Sequence, residues 1–217
     1  MKSVLSRKVL ISSFIILPLF FIKVYATPSG AWDEASPKDM GVASEKVEKL
    51  FDLSFRDDAT QSVVLIKNGV LIAERYAKGY DKDSFGTSWS MAKSYYAALI
   101  LISVDRGEIT NLDDKASKYL DYFNDERSEI TIRQLLNMSS GLEYPETQHE
   151  MMFFQPDHLE YSRQVKLEKE PDTLFEYNNV NSMLLGDILF QATGKKADVL
   201  LEERILDKLE VKNKTLW

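Results

Sequence analysis

The sequence has no cysteine. Disulfides, iron–sulfur clusters, thiolate zinc sites and a cysteine nucleophile are therefore excluded, and so is a lipoprotein anchor, which needs a cysteine at its cleavage site. Histidine is scarce, with only His149 and His158. His149-Glu150-Met151-Met152-Phe153 lacks the second histidine of the zinc motif H-E-x-x-H, and both histidines fall in a polar stretch read as a solvated loop. Bases are outnumbered: 27 Lys and Arg face 34 Asp and Glu, a net charge of −7. Nonspecific nucleic-acid binding needs clustered Lys and Arg and is disfavoured. Only one long apolar run is present, which excludes a polytopic membrane protein. What remains is 44% hydrophobic and 28% charged, the balance of a globular chain rather than a disordered one. The length of 217 residues allows one or two domains.

The apolar run lies at the start. Residues 1–26 carry Lys2, Arg7, Lys8 and Lys23 and no acid, and the run extends from Val9 to Ile22 with Pro18 inside it. Val24-Tyr25-Ala26 follows, with small residues at its first and third positions. A positive start, a short apolar centre and a small-x-small end predict a secretory signal peptide over 1–26. The run is short for an uncleaved anchor, which needs about 20 apolar residues. Cleavage after Ala26 would leave residues 27–217 as the mature domain, with a charge of −11 once the four bases are gone. The protein is expected to be periplasmic or extracellular, with no stable membrane partner after cleavage.

Residues 27–43 read as an irregular lead-in. A helix opens at Ser44, which can cap it, with Val47, Leu50 and Phe51 on one face. Val63–Ile66 and Val70–Ala73 flank Lys67-Asn68-Gly69. Asn-Gly tolerates the positive φ angles of a tight turn, so a hairpin is expected over 61–76. Ser90 to Arg106 predicts a helix that is apolar nearly all round and hence buried, ended by Gly107. Short helices are expected at 132–138 and 199–206 and a longer one at 181–193, while 143–172 gives no clear pattern. A lone two-stranded hairpin is marginal, and its partners are not obvious in the sequence.

Ser90-Met91-Ala92-Lys93 is the first candidate for chemistry. Lys93 is three residues after Ser90, on the same helical face. A neutral lysine there can take the serine proton, and burial favours that neutral form. The Ser90 backbone N–H can help to hold an oxyanion. The S-x-x-K pattern alone is common by chance. Downstream, Phe175-Glu176-Tyr177-Asn178-Asn179 precedes another apolar helix. Tyr177 could relay protons, and Asn179 could hold a substrate carbonyl or orient the lysine. Equally, Tyr177 could be a packing residue and Asn179 a helix cap. Gly86-Thr87-Ser88-Trp89-Ser90 misses the last glycine of a nucleophile elbow. No dinucleotide or Walker motif is present, and Asp113-Asp114 reads as a solvated face or helix start.

Taken together, these motifs resemble a family. Thr87 to Ser94 is similar to the nucleophile segment of the serine β-lactamase and penicillin-binding superfamily. The likeness is greatest to its class C branch, which includes esterases and 6-aminohexanoate-dimer hydrolases. Thr131 to Leu142 resembles that branch's LLxHTSGL stretch, sharing Leu135-Leu136 and Ser140-Gly141-Leu142 with it. Phe175 to Gly186 resembles its Y-x-N segment. Leu209 to Trp217 resembles its PLGMxxTxW stretch, sharing Thr215 and Trp217 with it but lacking its Pro and Gly.

The resemblance implies an α+β, β-lactamase/transpeptidase-like fold: an N-terminal helix and hairpin, then a helical region. It also implies an acylated Ser90, Lys93 as base, Tyr177 assisting proton transfer and Asn179 as the motif's asparagine. No cofactor or metal is implied, and the partner is a small ester or amide. The branch's third motif, K-T-G or H-x-G, has no counterpart; Lys214-Thr215-Leu216 lacks the glycine. The domain is accordingly expected to be truncated at its C-terminus, with the closing sheet strands missing. The expectation is an exported serine hydrolase of esters or amides. The alternatives are a β-lactamase or D-alanyl-D-alanine peptidase, or a noncatalytic fragment or binding module.

Overall fold

Residues 32–144 and 151–211 are described by the computed structural model of the chain. The signal segment, His149 and Lys214-Thr215-Leu216 lie outside the described residues, as does most of the Leu209–Trp217 stretch. Helix α1 spans Ser44–Ser54 and turns Val47 and Phe51 inward. Two expectations fail here. Ala43 is the N-cap, with no side-chain bond, and Ser44 is already helical. Leu50 is 41% exposed, because the contact line runs through Phe51, over whose ring Arg75 of the hairpin lies at 4.6 Å.

The hairpin forms as expected, β1 (Ser62–Lys67) against β2 (Val70–Tyr76). Asn68 and Gly69 take φ of 53° and 78°, the left-handed pair that a tight hairpin turn requires. The register shifts between Leu65 and Ile66, a bulge. The lead-in supplies backbone partners that the sequence hid. Leu71 N–H donates to Asp33 C=O at 2.8 Å, and Ala35 N–H donates to Leu71 C=O at 3.1 Å.

Helix α2 (Ala92–Asp105) follows a 3₁₀ turn at Trp89–Met91, so regular helix starts two residues after Ser90. Its all-round apolar sequence does not give all-round burial. Leu99 and Ile100 are fully buried, but Leu101 is 53% exposed. Gly107, at φ 72°, ends it. Helix α3 (Ile132–Leu136) is opened by Thr131 and Gln134, whose side chains each bond the other's backbone, a capping box. Helix α4 (His158–Gln164) lies in the stretch that had no clear pattern. His158 is therefore not a loop residue; it is half-buried at the head of α4, edge-on to Phe153 at 6.1 Å.

Helix α5 (Asn179–Thr193) starts two residues earlier than its apolar pattern and ends at Gly194, φ 72°. Helix α6 (Ala197–Leu201) runs on into a π-helical turn at Glu202–Leu206. The main core gathers Leu99 and Ile100 of α2, Ile132 and Leu135 of α3, Leu184 and Ile188 of α5 and Leu200 of α6. Each such side chain contributes about 2 kcal/mol on burial. Among the described residues the sheet has two strands, and no helix is long and apolar enough to cross a membrane.

Candidate active site

Ser90 sits in the 3₁₀ turn that introduces α2. Trp89, just before it, has φ 44°. That value is rare for a bulky side chain and costs about 1–3 kcal/mol. The turn leaves Ser90 exposed and Lys93 half-buried, so the site is open rather than buried as the helix pattern suggested. Lys93 Nζ donates to Ser90 Oγ at 3.3 Å, the contact that the three-residue spacing predicts.

Tyr177 arrives from 87 positions away, and its hydroxyl donates to Ser90 Oγ at 2.6 Å. Lys93 Nζ lies 4.8 Å from the centre of the Tyr177 ring. Burial pushes the phenol's pKa up. Hydrogen bonds with Lys93 and Ser90, together with the lysine charge, outweigh that and hold it below the ordinary value of 10.0. Ser90, Lys93 and Tyr177 thus form one hydrogen-bonded cluster. The arrangement offers a hydroxyl nucleophile with two proton-handling groups on the same oxygen.

A cradle of backbone brings Tyr177 in. Segment 166–176 lies along the loop after α3. Glu143 N–H donates to Lys166 C=O at 2.8 Å, and Glu168 and Lys169 N–H share the Gly141 C=O at 2.9 and 3.1 Å. Asp172 N–H donates to Ser139 C=O, and Glu176 N–H to Met138 C=O, both at 2.8 Å. The Asp172 carboxylate accepts from Gln134 and Ser139 side chains at 2.7 and 2.6 Å, which hold its pKa below the ordinary value. Gly141 has φ 72°, and a Cβ there would lie 2.1 Å from Lys169 O. The cradle needs a glycine at this point.

Asn179, two residues after Tyr177, is buried, and its Nδ2 donates to the Tyr144 hydroxyl at 2.9 Å. The helix cap is the preceding residue, Asn178, whose Oδ1 accepts the Val180 N–H at 2.8 Å. Sequence reasoning passed over Asn178, although an asparagine just before an apolar helix is a capping signal. Asp113 and Asp114 are engaged by bases, Asp113 with Arg133 at 2.6 Å and Asp114 with Lys118 at 2.9 Å.

A family model described as Beta-lactamase matches residues 57–217, most of the chain. The chain belongs to the Beta-lactamase family. Among its curated relatives, Protein flp of Staphylococcus aureus (strain MW2) is 28% identical over 171 residues, 71% of this chain and 34% of that protein. A D-aminopeptidase of Brucella anthropi is 31% identical over 135 residues, 58% of this chain and 25% of that enzyme. The chain thus spans about a third or less of the length of these relatives.

Among solved structures, a candidate 6-aminohexanoate-dimer hydrolase from Bacillus anthracis superposes with a TM-score of 0.65 at 23% identity. The match covers 82% of this chain and 52% of that one. At that identity the likeness shows the fold. The β-lactamase/transpeptidase-like architecture inferred from the motifs is therefore correct. The match is to part of the fold, with helices dominant and two strands among the described residues.

Proposed function

We propose that this Beta-lactamase-family chain carries the nucleophile of a hydrolase that opens an ester or amide bond through an acyl-enzyme on Ser90. One observation carries the reading: Lys93 Nζ and the Tyr177 hydroxyl meet on Ser90 Oγ, at 3.3 and 2.6 Å. Lys93 is the proposed base and takes the Ser90 proton while Oγ bonds to the substrate carbonyl carbon. The carbonyl π electrons move to oxygen, and the Ser90 N–H donates to the oxyanion. As this intermediate collapses, the C–O or C–N bond breaks and the leaving group takes a proton by way of Tyr177. Water then attacks the acyl carbon with the same groups handling its proton, and Ser90 is freed. Neither half calls for a cofactor. Asn179 is the proposed substrate-binding amide; to meet a substrate carbonyl it would exchange its bond to Tyr144.

The substrate reading is an ester or linear amide rather than a β-lactam ring. It rests on the Ser-Met-Ala-Lys-Ser segment and is supported by the peptidase and oligomer-hydrolase names of two proteins that the chain resembles. Short-chain p-nitrophenyl esters are expected to give a higher kcat/KM than nitrocefin. The reverse ranking would favour the β-lactamase or D-alanyl-D-alanine peptidase reading. Export belongs to the same proposal, on the charged start and the Val24-Tyr25-Ala26 end. N-terminal sequencing of protein recovered outside the cytoplasm should begin at Thr27. An intact Met1 on membrane-bound material would instead mean an anchor.

A further inference from the structure

Tyr177 reaches Ser90 from irregular backbone just ahead of α5. The phenol side is open, with Tyr177 45% exposed, so packing alone does not aim it. The next residue, Asn178, is 1% exposed and uses both ends of its amide. Oδ1 accepts the Val180 N–H at 2.8 Å, and Nδ2 donates to the Leu142 C=O at 3.2 Å. The first bond caps α5; the second ties that cap to the loop after α3. On the other side of Tyr177, the Glu176 N–H donates to Met138 C=O at 2.8 Å. Tyr177 is therefore flanked by two anchors on one loop. Asn181 adds a third tie, accepting from Ser140 Oγ at 2.7 Å and donating to Met138 Sδ at 3.3 Å.

We propose that Asn178 is a positioning residue for Tyr177: by clamping the α5 cap to the Leu142 carbonyl it fixes the backbone from which the phenol meets Ser90 and Lys93. The consequence for rate rests on the hydrolase reading; the aim of the phenol does not. A cap alone stabilises a helix by about 1 kcal/mol and asks nothing of Leu142. The second bond is what distinguishes a clamp from a cap.

The variant Asn178→Ser keeps a good capping oxygen but is too short to reach Leu142. The readout is the Tyr177 phenol, followed by NMR with 13Cζ-labelled tyrosine and assigned by its loss in Tyr177→Phe. The titratable group that acts on this phenol is Lys93 from α2; Tyr144, in the loop, is itself raised in part by the Tyr177 phenol. In the wild-type chain the signal should titrate below 10.0. In Asn178→Ser it should rise toward that value, and fluorophosphonate labelling of Ser90 should slow about 10²-fold, the cost of a misplacement of about 1 Å. Thr193→Ala is the matched control, since its Oγ1 bonds Leu189 C=O at 2.6 Å at the far end of α5. It should lower the melting temperature and leave both readouts in place.

If Asn178→Ser does not fold by circular dichroism, Asn178→Asp takes its place, because it keeps the cap and presents an acceptor to the Leu142 carbonyl. An unmoved Tyr177 titration in the folded Asn178 variant would overturn the clamp, as would an equal shift in Thr193→Ala. A wild-type chain that is never labelled would defeat the hydrolase reading instead, and the titration would still decide the clamp.

Discussion

Lys93 and Tyr177 approach the Ser90 oxygen from different parts of the chain, and their electrostatics are linked. The lysine's hydrogen bond and charge hold the phenol below its ordinary pKa. Removing the lysine therefore does two things. Lys93→Ala takes away the proposed base, and acylation of Ser90 should fall about 10²–10⁴-fold, the usual worth of a positioned proton-transfer group. It also releases the phenol, so the Tyr177 titration should move up, because burial then acts with less opposition. Stopped-flow acylation and the phenol titration check both; a titration that stays put would mean that Lys93 does not act on Tyr177. At this scale the sequence was informative where chemistry follows spacing. Ser90 and Lys93 are one turn apart, and Tyr177 and Asn179 fit a recognisable pattern. Asn178 was missed because its role is a bond to a carbonyl 36 positions away, which no local pattern encodes.

Among the elements, the loop after α3 does more than connect. It receives segment 166–176 as a cradle and so delivers Tyr177, and Gly141 is its tightest point. Gly141→Ala puts a Cβ 2.1 Å from Lys169 O at a residue with φ 72°. The left-handed backbone alone costs about 1–2 kcal/mol, and the overlap forces the cradle open. The expected result is a lower melting temperature together with slower Ser90 labelling. A lower melting temperature with unchanged labelling would detach the cradle from the site. The hairpin could be read because Asn68-Gly69 specifies its own turn. Helix α4 could not: polar and short, it carries no apolar stripe, and its start depends on the Asp157 side chain accepting the Glu160 N–H at 2.9 Å. That α2 is less buried than its apolar sequence predicts has the reverse cause. An apolar sequence fixes which faces can be buried, while neighbours fix which ones are.

Across the molecule, buried ion pairs join distant segments. Arg204, 8% exposed, donates to both oxygens of Glu108 at 2.8 Å and to Ser103 Oγ at 2.9 Å, pinning the last helix to the end of α2. Burial raises the Glu108 pKa, but hydrogen bonds from Arg204, Arg106 and Ser103 outweigh it, and the carboxyl lies below its ordinary 4.5. A lowered folded-state pKa means stabilisation that is complete above 4.5 and lost as pH falls through the folded value. Arg204→Met should cost about 3 kcal/mol, the low end for breaking a buried pair because Glu108 is partly exposed. It should also flatten the loss of stability as pH falls below about 4.5, as followed by denaturant unfolding. An equally steep acid limb in the variant would place that loss on other carboxylates. Such pairs, separated by 96 positions, are invisible to sequence patterns, since charge alone does not name its partner. The central claim remains the one at Ser90, and covalent labelling tests it most directly. The wild-type chain and Ser90→Ala are treated with a fluorophosphonate and read by intact mass and peptide mapping. One adduct, on the peptide holding Ser90 and absent from Ser90→Ala, is the expected result. An adduct on another serine, or a folded protein that takes none, would contradict it.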